Sequence, residues 1–253
     1  MKTQAQVVVI GGGVVGCSVL YHLTKLGWSD IMLVERSELT SGSTWHAAGG
    51  FHTLNADTNM AALQGYTIRL YRELEQLTGM SCGLHHVGGV TLATTPDRLD
   101  FLKAERAKHR YMGLDTEIIG PDEIRKLSPI TNTDGVLGAL YDPLDGHLDP
   151  SGTTHAYAKA ARMGGATIQT HCKVVATTPR PDGGWDVVTE QGTIHAEHVV
   201  NAGGLWAREV AAMAGIYAPL HPMEHQYLVT DDLPEIYERD SEHPHVMDPA
   251  GRR

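Results

Sequence analysis

Cysteine is scarce in this sequence: its 253 residues hold three, Cys17, Cys82 and Cys172. An odd, scattered set supplies neither a disulfide framework nor a C-x-x-C pair, so the thiols read as buried groups in a reducing compartment. Basic residues are also short, with 20 Lys and Arg against 30 Asp and Glu and a formal net charge of -10. That balance argues against nucleic acid and against anionic membrane surfaces as partners. No apolar run is long enough to span a bilayer, and there is no internal repeat or low-complexity stretch. The first strand pattern begins so close to Met1 that no room is left for a targeting peptide, and a cytoplasmic location is expected. The histidines show no H-E-x-x-H or related spacing. His85-His86, His243 and His245 fall in expected loops or turns, so no metal site is expected.

What is present starts at Val7. Residues 7–35 read VVVIGGGVVGCSVLYHLTKLGWSDIMLVE. Val7 to Ile10 are apolar on both faces, as a buried parallel strand requires. Gly11, Gly13 and Gly16 form G-x-G-x-x-G. The first allows a tight bend, the second close approach of backbone to a pyrophosphate, and the third close packing of helix on strand. The helix N-terminus that follows favours a phosphate. Ile31 to Val34 give the second strand. Glu35 ends it roughly 20 residues after Gly16, where an acid can hold an adenosine ribose hydroxyl. A dinucleotide-binding βαβ unit is therefore expected.

Beyond it, leucines at 63, 70, 74 and 77 predict a helix over about 60–77. The pattern then gives a strand over 87–93, a charged surface helix over 96–112, a short strand over 116–119 and a short helix over 121–127. Asp149 caps a further helix with Pro150 at its first position, and Gly164-Gly165 closes it. Four short strands follow at 167–170, 174–178, 185–189 and 193–196. The turns Pro181-Asp182-Gly183-Gly184 and Glu190-Gln191-Gly192 divide them, and the whole reads as a β-meander. Val199 to Asn201 return as a buried strand, and Ala202-Gly203-Gly204 turn into a helix over 205–214.

A nicotinamide dehydrogenase would complete two βαβ halves. This order of elements resembles instead flavoproteins of the D-amino-acid oxidase type. The loop 36–50, RSELTSGSTWHAAGG, can present hydroxyls and backbone N–H groups to a cofactor. Within it, GSTWHAAG resembles the site where the dimethylglycine/sarcosine dehydrogenase family bonds its flavin through a histidine. YDPLDGHLDP (141–150), VVNAGGLWAREV (199–210) and MEHQYLVT (223–230) match that family in the same order. The resemblance implies an α/β fold, in which an FAD-binding Rossmann-like domain (βαβ with β-meander) is interleaved with a partial mixed α+β substrate domain. The FAD-binding domain takes residues 1–86 and 149–215, and the substrate domain 87–148 and 216–253.

The family pattern also implies roles for residues. FAD would be held by Gly11, Gly13, Gly16, Glu35, Arg36, Ser43, Thr44, Val174, Ala202, Gly203 and Gly204, and tethered by His46. A neutral imidazole can add to the electrophilic tautomer of the flavin 8-methyl group. The implied reaction oxidises a small N-methyl amino acid. Hydride passes from the N-methyl carbon to flavin N5, the iminium ion hydrolyses to formaldehyde, and oxygen or an electron-transfer flavoprotein takes the electrons. His225 matches the family's active-site histidine and would hold the amine as free base. Tyr227, two residues on, would share its strand face. Two other readings stay open. One is another amine oxidase of this type, acting on glycine, proline or a polyamine. The other is a truncated, non-catalytic dinucleotide-binding remnant. It arises because the sequence ends on the turn signal Asp248-Pro249-Ala250-Gly251-Arg252-Arg253. In the family, a strand pairing with that of His225, and later a folate-binding half, would follow.

Overall fold

The computed structural model describes residues 2–53, 55, 57–181 and 183–248. Its strands are β1 (Gln4–Ile10), β2 (Ile31–Val34), β3 (Gly50–Phe51), β4 (Gly89–Ala93), β5 (Glu117–Ile119), β6 (Gly138–Asp142), β7 (Gly146–His147), β8 (Thr167–Gln169), β9 (Val174–Pro179), β10 (Trp185–Thr189), β11 (Gly192–Asn201) and β12 (His245–Met247). Its helices are α1 (Val14–Lys25), α2 (Thr58–Thr78), α3 (Pro96–Tyr111), α4 (Pro121–Leu127), α5 (Pro150–Met163), α6 (Ala207–Met213) and α7 (Pro234–Tyr237). The chain divides into two units. The first comprises residues 1–48, 72–83 and 149–225, and the second 49–71, 84–148 and 226–253. Residues 49–71, expected with the first, group with the second.

The first unit is built on a six-stranded sheet in the order β8-β2-β1-β11-β10-β9. β8, β2, β1 and β11 run parallel, and β10 and β9 antiparallel. Val7 to Ile10 are all buried, as their two-sided apolar pattern requires. One face of the sheet forms a core with Val8, Ile10, Met32, Val34, Val187 and Ile194. α1 packs against α5, whose Ala156, Ala160 and Ala161 are buried and leave room for close approach. Asp149 caps α5 as expected, its carboxylate accepting from Ser151 N at 2.9 Å, with Pro150 in the first turn. The three cysteines are buried, and desolvation pushes the Cys17 thiol up to about 12, which removes it from nucleophilic chemistry.

Three expectations here need correction. The meander has three strands, because β8 pairs parallel with β2 at the opposite edge. The segments 193–196 and 199–201 belong to one strand, β11, which pairs with β1 in a single register between His195 and Asn201. Val199 and Val200 are half-buried rather than fully buried. The expected turn residue Asp182 lies outside the described residues.

The second unit carries a four-stranded sheet, β12-β4-β6-β5, and a two-stranded pair, β3-β7. β4 is buried along its whole length. Val90, Leu92, Ile119, Ile124, Val136 and Ala139 form its main core. α3 is not simply a charged surface helix, because Leu102, Glu105 and His109 are buried on it. His109 Nδ1 lies 3.2 Å from Thr116 Oγ1, and burial lowers its pKa, so the ring is held neutral.

The segment 141–150 makes a second buried polar knot. Asp142 and Asp145 are 3% and 2% exposed. Thr53, fully buried, donates its hydroxyl to Asp142 and its N–H to Asp145 Oδ1, the latter at 3.0 Å. Asp145 also shares a side-chain hydrogen bond with Asp142, and desolvation together with that neighbouring charge raises its carboxyl to about 8. Two of the histidines expected in loops lie in sheet pairings: His85 bridges to His147, and His245 opens β12. Among the described residues no helix is long and apolar enough to cross a membrane.

Candidate functional site

The glycine turn between β1 and α1 is shaped by contacts that exclude side chains. Gly11 has a φ of 116°, and a Cβ there would stand 2.3 Å from the Ala202 carbonyl oxygen. A Cβ on Gly16 would stand 1.9 Å from the Gly11 carbonyl oxygen. The helix and the Ala202 turn thus close on the strand end as tightly as backbone allows. Gly13 precedes α1 and offers no side-chain cap, and the first turn carries no acid. A helix N-terminus without an acid, and without a cap from its own N-cap residue, is suited to a phosphate. Gly12, which the motif leaves unspecified, matters as well. A Cβ there would stand 2.8 Å from Leu39 Cδ2 and 2.9 Å from Glu35 Cβ.

Glu35 does more than end β2. Its Oε2 accepts from Gly12 N at 2.7 Å and its Oε1 from Ser37 N at 2.8 Å. The carboxylate pins the glycine turn to the loop after β2 and keeps lone pairs for a further donor. The chain at 171–172 runs alongside, with His171 N and Cys172 N donating to Ser37 O and Glu35 O. Val174 follows, but its side chain is buried in the sheet core, so it has only backbone to offer a ligand.

The loop 36–48 is tied to the same helix end. Thr44 Oγ1 accepts from Val14 N at 3.0 Å, and its own hydroxyl proton stays available. Thr40 N donates to Gly12 O at 3.0 Å. Ser43 to His46 form a short 3-10 turn. His46 is exposed and tilted onto Trp45, with ring centroids 3.9 Å apart. Its Nδ1 lies 3.1 Å from the Gly42 carbonyl oxygen. A carbonyl only accepts, so Nδ1 carries the proton and Nε2 of the neutral ring keeps its lone pair. Arg36 lies over the Trp206 ring at 3.7 Å. Asn201 closes the Ala202-Gly203-Gly204 turn, accepting from Gly203 N at 3.1 Å and donating to Ala207 O at 2.7 Å. Sequence reading assigned no role to Asn201 or Trp206, whose contacts depend on a turn that no local pattern specifies.

The structure brings Gly11, Gly13, Gly16, Glu35, Thr44, Ala202 and Gly203 together around one strand end. Ser43 and His46 stand exposed on the loop beside it, and Gly204 has a positive φ of 55° with open space around it. It does not bring His225 and Tyr227 onto a strand. Residues 216–233 have no regular structure, and both side chains are exposed, Tyr227 at 70%.

Comparison with known proteins gives the following. A family model described as FAD dependent oxidoreductase (DAO) matches residues 6–252. The chain is 44% identical over 250 residues to mitochondrial dimethylglycine dehydrogenase of Rattus norvegicus, covering 99% of this chain and 29% of the relative. It is 39% identical over 242 residues to mitochondrial sarcosine dehydrogenase of Homo sapiens, covering 93% of this chain and 26% of the relative. The chain thus spans under a third of the length of these relatives. The crystal structure of L-proline dehydrogenase from P. horikoshii superposes with a TM-score of 0.84 at 24% identity, covering 99% of this chain and 66% of that one, which is a likeness of fold.

Proposed function

Because the chain belongs to the FAD dependent oxidoreductase (DAO) family, we propose that it forms the flavin-binding part of an oxidase or dehydrogenase that demethylates a small N-methyl amino acid of the dimethylglycine or sarcosine type. The observation that carries this reading is the identity to dimethylglycine and sarcosine dehydrogenases over nearly the whole chain. The glycine cradle, the acid-free helix end and the Glu35 carboxylate fit FAD. When bound, FAD supplies the two-electron acceptor for oxidation beside the amine nitrogen. Gly11, Gly13 and Gly16 let backbone approach the pyrophosphate, and Thr44 donates its hydroxyl to it. Glu35 accepts from the ribose. Arg36, Ser43, Val174, Ala202, Gly203 and Gly204 complete the contact surface. His46 would tether the flavin through Nε2, the ring nitrogen that does not face the Gly42 carbonyl. His225 would hold the substrate amine as free base, with Tyr227 as its companion, and the flavin would pass electrons to oxygen or an electron-transfer flavoprotein.

The flavin-loaded protein, mixed without oxygen with dimethylglycine or sarcosine, is expected to lose its oxidised flavin absorbance. Loss with glycine or proline and not with either N-methyl amine moves the reading to another amine oxidase of the family. Retention with every amine favours a non-catalytic flavin-binding role, a reading supported by the exposed, irregular setting of His225 and Tyr227. The tether is tested separately. Wild-type flavin is expected to stay with acid-precipitated protein, and flavin in His46→Ala to be released. Release from both discards the covalent assignment.

Glu35→Gln is expected to weaken FAD binding by about 1.5–3 kcal/mol, roughly 10- to 150-fold. Glutamine retains one acceptor where the carboxylate serves two backbone N–H groups, and its NH2 would face a donor. Fluorescence titration of the apoprotein with FAD reads the change. An unaltered dissociation constant removes Glu35 from the cofactor site.

A further inference from the structure

The sequence scatters its histidines, but the second unit gathers two of them with an acid. His85 and His147 oppose each other across an antiparallel bridge, His85 N donating to His147 O at 2.8 Å and His147 N to His85 O at 3.0 Å. Directly opposed residues carry their side chains on one face, and here the rings stack with centroids 4.8 Å apart and 12° between planes. Glu242 reaches both. Its Oε1 lies 2.8 Å from His85 Nδ1 and its Oε2 3.2 Å from His147 Nε2. The three donor atoms lie within 4.8 Å of one another.

The backbone that carries them is held independently of these side chains. Gly146 lies so close to the bridge that a Cβ would stand 2.0 Å from the His85 carbonyl oxygen. Three residues after Glu242, His245 N donates to Gly88 O at 3.0 Å as β12 joins β4. The backbone of His85 and His147 is therefore set before any ion arrives, and β12 anchors the chain close after Glu242, which lowers the ordering cost of binding one.

Two imidazole nitrogens and one carboxylate are the donor set of three-ligand zinc sites, in which a fourth position stays open. Ligand atoms about 2.0–2.2 Å from a common tetrahedral ion stand roughly 3.3–3.6 Å apart, so the donor atoms are already near ligand spacing and binding requires the stacked rings to turn their nitrogen lone pairs toward a common point. We propose that His85, His147 and Glu242 bind a divalent transition-metal ion of the zinc type. His85 and Glu242 also line an open cleft of about 620 Å³ with Lys126, Arg239 and Asp240, so the fourth position faces water. The bound ion ties the segment before β12 to the His85–His147 bridge. Because the ligands must be unprotonated, affinity falls in acid.

The test is a titration of metal-free protein with Co²⁺, read by the visible absorption of coordinated cobalt and then by its displacement with Zn²⁺. A single strong equivalent is expected. His147→Ala and Glu242→Gln are each expected to weaken it by about tenfold or more. Glu242 is exposed, so its substitution carries the test even where His147→Ala folds poorly. His171→Ala, which removes the exposed His171–Glu38 pair, is expected to change nothing. An absent cobalt band, equal affinity in Glu242→Gln and wild type, or loss of the band in His171→Ala would overturn the assignment.

Discussion

Gly16→Ala is expected to cost roughly 100-fold in FAD affinity, about 3 kcal/mol, while adding a single methyl group. The methyl carbon would stand 1.9 Å from the Gly11 carbonyl oxygen, which is backbone and cannot swing aside. Either α1 lifts from the strand end or the Gly11 peptide rotates. Both movements disturb the N–H groups that a pyrophosphate needs. The measurement is the FAD dissociation constant of apoprotein in a His46→Ala background, which keeps binding reversible. Gly79→Ala serves as a comparison, because that glycine carries the strain of a positive φ of 65°, which Gly16 in α1 does not, but has open space around it. The two substitutions separate local crowding from general loss of a flexible residue. Equal FAD affinity in Gly16→Ala and wild type would dismiss the cradle.

The second large effect lies in the pH dependence of stability. Asp145 is raised from 3.8 to about 8 in the folded chain. Between those values the folded form keeps a proton that the unfolded form has released. The resulting stabilisation is complete below the unfolded value, declines as pH rises through the window, and is gone above the folded one. At about 1.4 kcal/mol per pH unit, the step from pH 6 to pH 8 lowers the melting temperature by roughly 5–10 °C in a chain of this size. Asp145→Asn supplies a permanent donor to Asp142 and keeps an oxygen for Thr53 N. It is therefore expected to flatten the slope. Repulsion among the chain's other acids is common to both proteins and cancels in the comparison. Parallel melting curves across that pH range would refute the assignment.

The βαβ unit was legible because each of its signals is local. Val7 to Ile10 are apolar on both faces, the glycines have fixed spacing, and Asp149-Pro150 announces α5 in two residues. Pairing was less legible. β8 looks like the first strand of the meander, yet its partner is β2, a choice made by the sheet. Glu197 and His198 interrupt the apolar pattern of β11, and so split one strand into two on reading. The backbone ladder to β1 keeps one register on either side of Glu197, and His198 pairs with Val7. Residues 223–230 have strand-like composition but no partner in the described structure, and an unpaired strand leaves its backbone groups to water. YDPLDGHLDP could be matched to a family by sequence, but its physical content could not be read. Asp142 and Asp145 are buried partners of Thr53, Gly146 makes room for the His85 carbonyl, and Asp149 is a helix cap. The His85, His147 and Glu242 cluster was invisible for the same reason, since its members are distant in sequence.

The position of β1 bears on how the protein is made. It lies between β2, which follows it closely, and β11, where Gln4 pairs with His195. During synthesis from the N-terminus, β1, α1 and β2 are available early, while the other edge of β1 waits for most of the chain. An apolar parallel strand with an open edge is a template for the wrong partner, and pairing across so long a separation is slow. Soluble yield is then limited by how soon residues 192–201 reach that edge. No shorter N-terminal piece that stops before them can close the sheet.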